Sequence, residues 1–342
     1  MQVRESLWRR GGVSYLRPLP GAIGVSTRSC SRLLQRAVSD LGMESSFQQA
    51  QRGVKEHYGF DLPLSAVADV TRDSAEAIAM DQQAREGANR LPAKGARQLV
   101  AEADGSFLRI VSTSAAKGDR RKSRQVAYRE VRLCAASAQG SARICYDASF
   151  GEVDTIAKLW CFTAKKAGMS VESKVHIVSD GATWIHTQGC IAFGSQGRHL
   201  IDLYHVLEYL SKAAPACGED PRRWLKNQKR RLKNGKAQKV IAELQQHLEP
   251  DALSDEESPV RCALRYLDNR ADHLAYDQAI AQKLPVGSGL IESGNKHVLQ
   301  ARMKIPGASW NILTAENLAR ARAFRANGDW NSFWKDTSNK AA

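Results

Sequence analysis

Long apolar runs are missing from this sequence of 342 residues. A membrane-crossing helix needs about 20 consecutive apolar residues, so we expect no membrane-spanning segment. Cysteine is also sparse, with seven residues, and it shows neither a C-x-x-C pair nor the Cys/His spacing that is typical of zinc sites. The sequence therefore predicts buried or idle thiols in a reducing compartment.

Acidic residues are outnumbered, since 36 Asp and Glu face 50 Lys and Arg and leave a formal net charge of +14. The share of hydrophobic residues, 43%, is ordinary for globular protein and excludes fibres and gross disorder. A cationic chain favours polyanions, because each Lys or Arg that meets a phosphate releases condensed counterions. Nucleic acid is the leading partner class, although ribosome-associated proteins and ordinary soluble enzymes can be equally basic.

The N-terminal region is rich in arginine and carries one acid, Glu5, in its first 36 residues. This composition suits either a transit peptide or a DNA-binding arm. Arg9-Arg10 is not followed by an apolar stretch with a small-residue cleavage site, which argues against twin-arginine export. We expect residues 1–30 to form a disordered basic extension.

Residues 31–96 show apolar positions at helical spacing. One interpretation is a helix-turn-helix for DNA binding, with its second helix from about Ser65 to Met80. The other is a small helical cap on the next domain, because these helices carry few basic residues.

From Arg97 the pattern changes to strands, which are rich in Val, Ile, Tyr and Phe. Three consecutive strands predict an antiparallel meander, and a helix from Asp154 to Lys166, stopped by Gly168, leads into two further strands. The fold class is therefore α/β, a mixed sheet flanked by helices in the order β-β-β-α-β-α-β-α. The predicted strands are Gln98 to Thr113, Val126 to Ala136, Ala142 to Phe150, Lys174 to Ser179 and Arg198 to Leu203.

Residues 219–282 read as an all-helical insertion with one basic face. Nine Lys or Arg and no acid lie between Arg222 and Lys239. Such a run binds DNA phosphates or is simply a solvated charged helix, and the pattern leaves both interpretations open. The candidate DNA contacts here are Arg222, Arg223, Lys226, Lys229, Arg230 and Arg231.

Three acids are the candidate catalytic residues. Asp104 lies inside a strand pattern, where an acid between apolar neighbours is costly unless it is paired or metal-bound. Asp180 follows an apolar strand, at the end where sites collect in such sheets. Both precede glycine, so each can also be an ordinary turn residue. Glu292 follows a Gly-rich turn into a helix, where it can cap the helix or bind a metal.

The order and spacing of several motifs resemble those of bacterial insertion-sequence transposases of the ISKra4 family and, more distantly, of Mutator-like transposases. The resemblance covers about residues 97–335. No zinc module is recognisable before Arg97, so it does not extend to a domain that would bind the terminal repeats. The motifs are Asp104-Gly105, Ser179-Asp180-Gly181-Ala182, Asp202-Leu203-Tyr204-His205, Gly287-Ser288-Gly289-Leu290-Ile291-Glu292 and Trp310.

The resemblance implies a ribonuclease H-like catalytic domain, built from residues 97–218 and 283–335, whose Asp104, Asp180 and Glu292 hold two Mg²⁺ or Mn²⁺ ions. It implies a cytoplasmic, nucleoid-associated bacterial DNA transposase that acts on double-stranded element ends and target DNA as a homo-oligomer. Asp202 and His205 match a D-x-x-H signature that supports the metal site; a buried core pair is the alternative. Other functions are a transposase-derived DNA-binding protein without catalysis and a metal-dependent nuclease without strand transfer.

Further cations follow Glu292 in the sequence. Lys296, Arg302 and Lys304 are placed where a scissile phosphate would lie, or on a solvated face. Aromatic residues near the C-terminus suit base stacking or core packing. They are Trp310, Phe324, Trp330, Phe333 and Trp334.

Overall fold

The computed structural model describes residues 30–86, 90–113 and 123–339. The chain divides into two units, of which the first comprises residues 1–87, 107–129 and 296–342 and the second residues 88–106 and 130–295. The insertion at 219–282 therefore lies in the second unit, with most of the sheet. Residues 296–335, which the resemblance assigns to the catalytic domain, lie in the first unit with the N-terminal helices. The basic extension predicted for residues 1–30 lies outside the described residues, except for Cys30.

The first unit begins with helices α1 (Arg32–Glu44), α2 (Phe47–Tyr58) and α3 (Leu64–Glu86). Side-chain caps set the starts of α1 and α2, because Ser31 accepts a hydrogen bond from the Leu34 amide and Ser46 forms a capping box with Gln49. Apolar faces of the three helices meet in a core that includes Val38, Val54, Val67 and Val70. The helical region expected from the sequence is thus present.

The same unit contains α12 (Ala301–Met303), α13 (Ile312–Ala326) and α14 (Trp330–Asn339), with α13 packed along α3. Buried arginines tie these parts together: the Arg322 guanidinium donates to the carbonyls of Met43, His297 and Val298. All five C-terminal aromatics are buried, so core packing, not base stacking, is their role here. These are Trp310, Phe324, Trp330, Phe333 and Trp334.

Helix α3 contributes little to a DNA-binding surface. Its buried residues lie on several sides, from Val67 to Gln82, as expected of a central helix in a helical bundle. Its Arg72 and Arg85 pair with Asp69 and Asp81 on the same helix. These pairs offset the positive charge that α3 would bring to DNA, and the helix-turn-helix and the cap both stay predictions for residues 31–96.

The second unit is built on a mixed sheet whose strand order is β3-β2-β1-β4-β5. β1 pairs parallel with β4, β4 pairs parallel with β5, and β2 pairs antiparallel with β3. The predicted α/β class and order of elements are confirmed. The strands are β1 (Gln98–Thr113), β2 (Arg124–Ala138), β3 (Cys145–Ser149), β4 (Lys174–Ser179) and β5 (Gly197–Ile201).

Alternating side chains of β1 enter two different cores. Leu99, Ala101 and Ala103 pack with α4 and α5 on one face, while Val100 packs with α6 and the helices of the insertion on the other. In the described residues, no helix is long and apolar enough to cross a membrane. The helices are α4 (Ile156–Lys166), α5 (Thr183–Phe193), α6 (Leu203–Cys217), α7 (Pro221–Lys233), α8 (Ala237–Gln245), α9 (Pro259–Asp268), α10 (Tyr276–Ala281) and α11 (Gly289–Gly294).

Candidate active site

Three aspartates follow the paired parts of the three parallel strands. Glu102 is opposite Val178 across β1 and β4, so Asp104, two residues further along β1, lies level with Asp180. Ser179 is opposite Ile201 across β4 and β5, so Asp202 continues the same row. The sheet therefore brings together Asp104, Asp180 and Asp202 at the carboxyl end of its parallel strands.

Asp104 is half-buried and points to the face of β1 that carries Val100 and Glu102. Its carboxylate accepts hydrogen bonds from the Gly105 amide at 2.7 Å and the Asn295 side-chain amide at 2.6 Å. Burial raises the pKa of Asp104, and the nearby charge of Asp180 raises that pKa further. Asp104 and Asp180 are thus close enough to interact electrostatically.

The turn after β4 is held by the helical insertion. The Asp180 carboxylate accepts a hydrogen bond from the Ala182 amide at 2.9 Å. The Tyr266 hydroxyl donates to the Asp180 carbonyl at 2.5 Å, and the Arg270 guanidinium donates to the Gly181 carbonyl at 2.8 and 3.2 Å. Gly181 has a φ of +84°, and a Cβ there would meet Arg270 Nε at 2.3 Å, so glycine is required.

Asp202 organises the loop before Glu292. It is 2% exposed, and one carboxylate oxygen caps α6 by accepting from the amides of Tyr204 and His205. The other oxygen accepts from the amide and hydroxyl of Ser288. Both oxygens are therefore used within the protein, which makes Asp202 a positioning residue.

His205 does not reach Asp202 through its imidazole. Only its backbone amide does so, at 3.4 Å, whereas its ring Nδ1 lies 3.8 Å from the Glu208 carboxylate on a partly exposed face of α6. The buried core pair, one of the two interpretations of the D-x-x-H motif, is therefore wrong, and the supporting role of His205 at the metal site stays a prediction. The helix start directs the amide, not the ring, toward the capping carboxylate.

Glu292 lies on α11 and is exposed. Its Oε1 lies 3.4 Å from the Ser288 hydroxyl oxygen, while Asp202 accepts from both the amide and the hydroxyl of that serine. Asn295, three residues later, contacts Asp104, and residues three apart share a helix face. The same segment then adopts a π-helical turn at Asn295–Gln300, a form often found at functional sites.

Glu102 is a fourth acid at this site, and the sequence reasoning missed it. It is fully buried, one carboxylate oxygen accepts from the Ile291 amide at 2.8 Å, and the other has no hydrogen-bond partner among the described residues. Burial raises the pKa of Glu102 to about 8, helped by the charges of Asp202 and Glu292. The sequence contained a signal for it, because Glu102 stands between two alanines in a strand pattern, and Asp104 likewise follows an alanine.

The basic helix α7 keeps most of its predicted cations on the surface. Arg222, Arg223, Lys226 and Arg230 are exposed, and the Lys229 ammonium lies 5.5 Å from the centre of the Tyr204 ring. Arg231 instead pairs with Glu243 of α8. Tyr204 packs against the turn before Glu292, since a Cβ on Gly287 would meet its ring at 2.7 Å. One flank of α7 is therefore adjacent to the Glu292 loop.

The three cations after Glu292 differ in position. Lys296 and Lys304 are exposed. Arg302 is 2% exposed; it donates to the Gly42 carbonyl at 3.0 Å and packs over the rings of Phe47 and Trp310. The predicted DNA contact by Arg302 is therefore wrong, because aromatic rings and a carbonyl of the helical core enclose the guanidinium.

A family model matches residues 20–335, nearly the whole chain, and its description is Uncharacterised protein family (UPF0236). The chain belongs to this family. No curated protein matches the sequence. The family assignment gives no activity, so the chemistry of the site is argued from its residues.

The donor chemistry around Asp104 suits a hard cation. Carboxylate and amide oxygens are the ligands that Mg²⁺ prefers. An oxygen of Glu102 and the side-chain oxygen of Asn295 are buried without partners among the described residues, and such atoms call for an ion or water. As the side chains stand, the described residues contain no group of three His, Cys, Asp or Glu arranged to hold a metal. The residue types therefore fit a metal that carboxylate and amide oxygens would hold.

Three histidines line a cavity of about 240 Å³ beside the Asp180 turn: His186, His199 and His273. Their ring centres lie 4.8, 4.9 and 5.8 Å apart. Burial lowers the pKa of His199 to about 3 and also lowers that of His273. Burial therefore favours the uncharged imidazoles of His199 and His273 at neutral pH.

Proposed function

We propose that this protein is a DNA transposase that cuts element ends and joins them to target DNA by metal-dependent phosphoryl transfer. The observation that carries the proposal is the row of Asp104 and Asp180 on adjacent parallel strands, with Glu292 on a helix whose next turn contacts Asp104. The resemblance to ISKra4-family transposases assigns the catalytic triad to these three acids. The mixed sheet with a helical insertion before Glu292 agrees with the ribonuclease H-like domain that the resemblance implies.

Each acid has a distinct setting for this chemistry. Asn295 and Gly105 orient Asp104. The Ala182 amide orients Asp180, whose turn is held by the helical insertion. Glu292 is exposed, so its carboxylate can approach an incoming strand and orient the attacking hydroxyl. Mg²⁺ or Mn²⁺ held by these carboxylates would supply charge that acidifies the attacking hydroxyl and stabilises the leaving oxygen.

Cations near the acids give a route for the DNA backbone. The half-buried Lys229 of α7 lies over the Tyr204 ring, which packs against Gly287 in the turn before Glu292, and exposed cations stand on the same helix. Phosphate contacts of this kind position DNA without reading its sequence. The proposal therefore assigns duplex binding to α7 and chemistry to the acids.

The test is a product assay with the full chain on duplexes that carry the DNA flanking its own coding sequence, in Mg²⁺, Mn²⁺ or EDTA. We expect metal-dependent nicking at the element end and joined products with target DNA, both absent in EDTA. Nicking without joined products would make the protein a nuclease. Binding without any nicking would make it a DNA-binding derivative, and random duplex handled like element ends would contradict the assignment to transposition.

A further inference from the structure

Residues 107–113 of β1, together with Ser123 and residues 124–129 of β2, are here called the arm; they belong to the first unit and carry an unusual surface. Every residue from Arg124 to Arg129 is exposed. A strand usually buries one face, which alternation would show as every second residue. This part of β2 therefore projects from the unit's core.

The base of the arm is fixed to the unit. Leu108 and Ile110 are buried, and β1 exchanges backbone hydrogen bonds with Trp310: the Trp310 amide donates to Arg109 and the Val111 amide donates to Trp310, at 3.1 and 2.7 Å. The alternation then places Phe107 and Arg109 on the outward side. A firmly held strand presents these side chains without the ordering cost of a flexible loop.

Exposed aromatic rings and arginines are combined on the arm. Phe107 is 59% exposed and Tyr128 68%. Arg109, Arg124 and Arg129 are exposed, and the 14 residues of the arm include no Asp or Glu. Rings that stack on bases, interleaved with cations that meet phosphates, form the typical surface for a nucleic acid strand with unpaired bases.

We propose that the arm binds single-stranded or unpaired DNA, with Phe107 and Tyr128 stacking on bases and the arginines contacting the backbone. The inference rests on the proposed function in taking DNA as the partner. It adds a second DNA surface, separate from α7, that recognises opened strands. A symmetric contact with a second copy is disfavoured, because an isologous interface would set these arginines against each other without any acid of the arm to pair with.

The test measures anisotropy of a labelled oligothymidylate and of a duplex of equal length, with the full chain. We expect Phe107→Ala and Tyr128→Ala each to weaken oligothymidylate binding about tenfold and duplex binding much less. Arg124→Gln with Arg129→Gln should lower the salt slope for the single strand by about 1.4. All four side chains are exposed, and Arg124 donates only one exposed hydrogen bond among the described residues, to the Ser309 hydroxyl, so thermal melting should stay close to that of the parent.

Matched controls lie elsewhere in the same unit. Tyr58 is 52% exposed at the end of α2 and Arg52 is exposed on α2, so Tyr58→Ala and Arg52→Gln should leave single-strand binding unchanged. Equal oligothymidylate affinity in Tyr128→Ala and the parent would overturn the proposal. So would dissociation of an oligomer by Tyr128→Ala with DNA binding intact, which would assign the arm to a protein interface.

The proposed function and the arm can fail separately. A parent that nicks element ends but ignores oligothymidylate would refute the arm and keep the transposase. A parent that binds oligothymidylate through Tyr128 but cuts no duplex in Mg²⁺ or Mn²⁺ would keep the arm and refute the transposase.

Discussion

Glu292 is the residue at which structural and catalytic roles separate most clearly. The Ser288 amide donates to Asp202, and the Glu292 carboxylate is exposed. Little of the stability of the fold therefore depends on the charge of Glu292. We predict that Glu292→Gln melts like the parent and still binds DNA, but loses strand cleavage about a thousandfold, because a neutral amide is a poorer Mg²⁺ ligand. Cleavage and melting on one preparation check this.

Glu208→Gln is the matched control for that measurement, since Glu208 is an exposed glutamate on α6 that lies near His205 rather than the acids. It should cleave at the parental rate. Parental cleavage by Glu292→Gln itself would leave the third acid of the site unassigned.

Glu102 predicts a pH dependence of stability. Its pKa is about 8 in the folded chain and near 4.5 in the unfolded chain, so the neutral form is favoured by folding. The stabilisation is fully present below about pH 4.5 and is lost as the pH rises through 8. In EDTA, Glu102→Gln should therefore become progressively more stable relative to the parent between those pH values. Melting curves that stay parallel across this range would contradict the role given to Glu102.

Among the elements, helix α9 acts on the site through Tyr266. Its hydroxyl donates to the Asp180 carbonyl, and its ring stacks on Tyr209 at 4.1 Å between centres. We predict that Tyr266→Phe keeps the fold but lowers the rate of cleavage at saturating DNA about tenfold. The DNA concentration that gives half of the maximal rate should change little, because only the turn that carries Asp180 is loosened.

Tyr276→Phe provides the comparison within the same core. The Tyr276 hydroxyl is buried without a hydrogen-bond partner among the described residues, so its removal should leave the cleavage rate unchanged. Equal losses in both variants would indicate a general packing effect and remove the positioning role of Tyr266.

Helix α7 makes a prediction about salt dependence. Lys226 and Arg230 are exposed, whereas Arg231 is engaged by Glu243. Neutralising Lys226 and Arg230 together should weaken binding to specific and random duplexes alike and lower the salt slope by about two. Arg231→Gln should change stability more than the slope. A double variant with the parental slope would remove α7 from the DNA path.

At the scale of the whole molecule, local pattern was sufficient for the elements. β1 and β4 match their predicted ranges, and the helix before Gly168 ends as expected, because strand alternation and turn glycines act over a few residues. The predicted order of elements in the second unit also holds. The pattern did not reveal which helices share a core. It also did not reveal the boundary between the units, which falls inside β1 and β2.

The sequence marked Asp104 and Asp180 as acids beside apolar strands and Glu292 as an acid after a Gly-rich turn, and the resemblance to ISKra4-family transposases joined the three in one predicted triad. Tertiary structure alone decided the rest. It buried Arg302 among aromatic rings, used one oxygen of Asp202 to cap α6 and the other to hold the Glu292 loop, and brought Glu102 beneath that loop. Burial, pairing and pKa depend on neighbours that are distant in the chain, and no local pattern contains them.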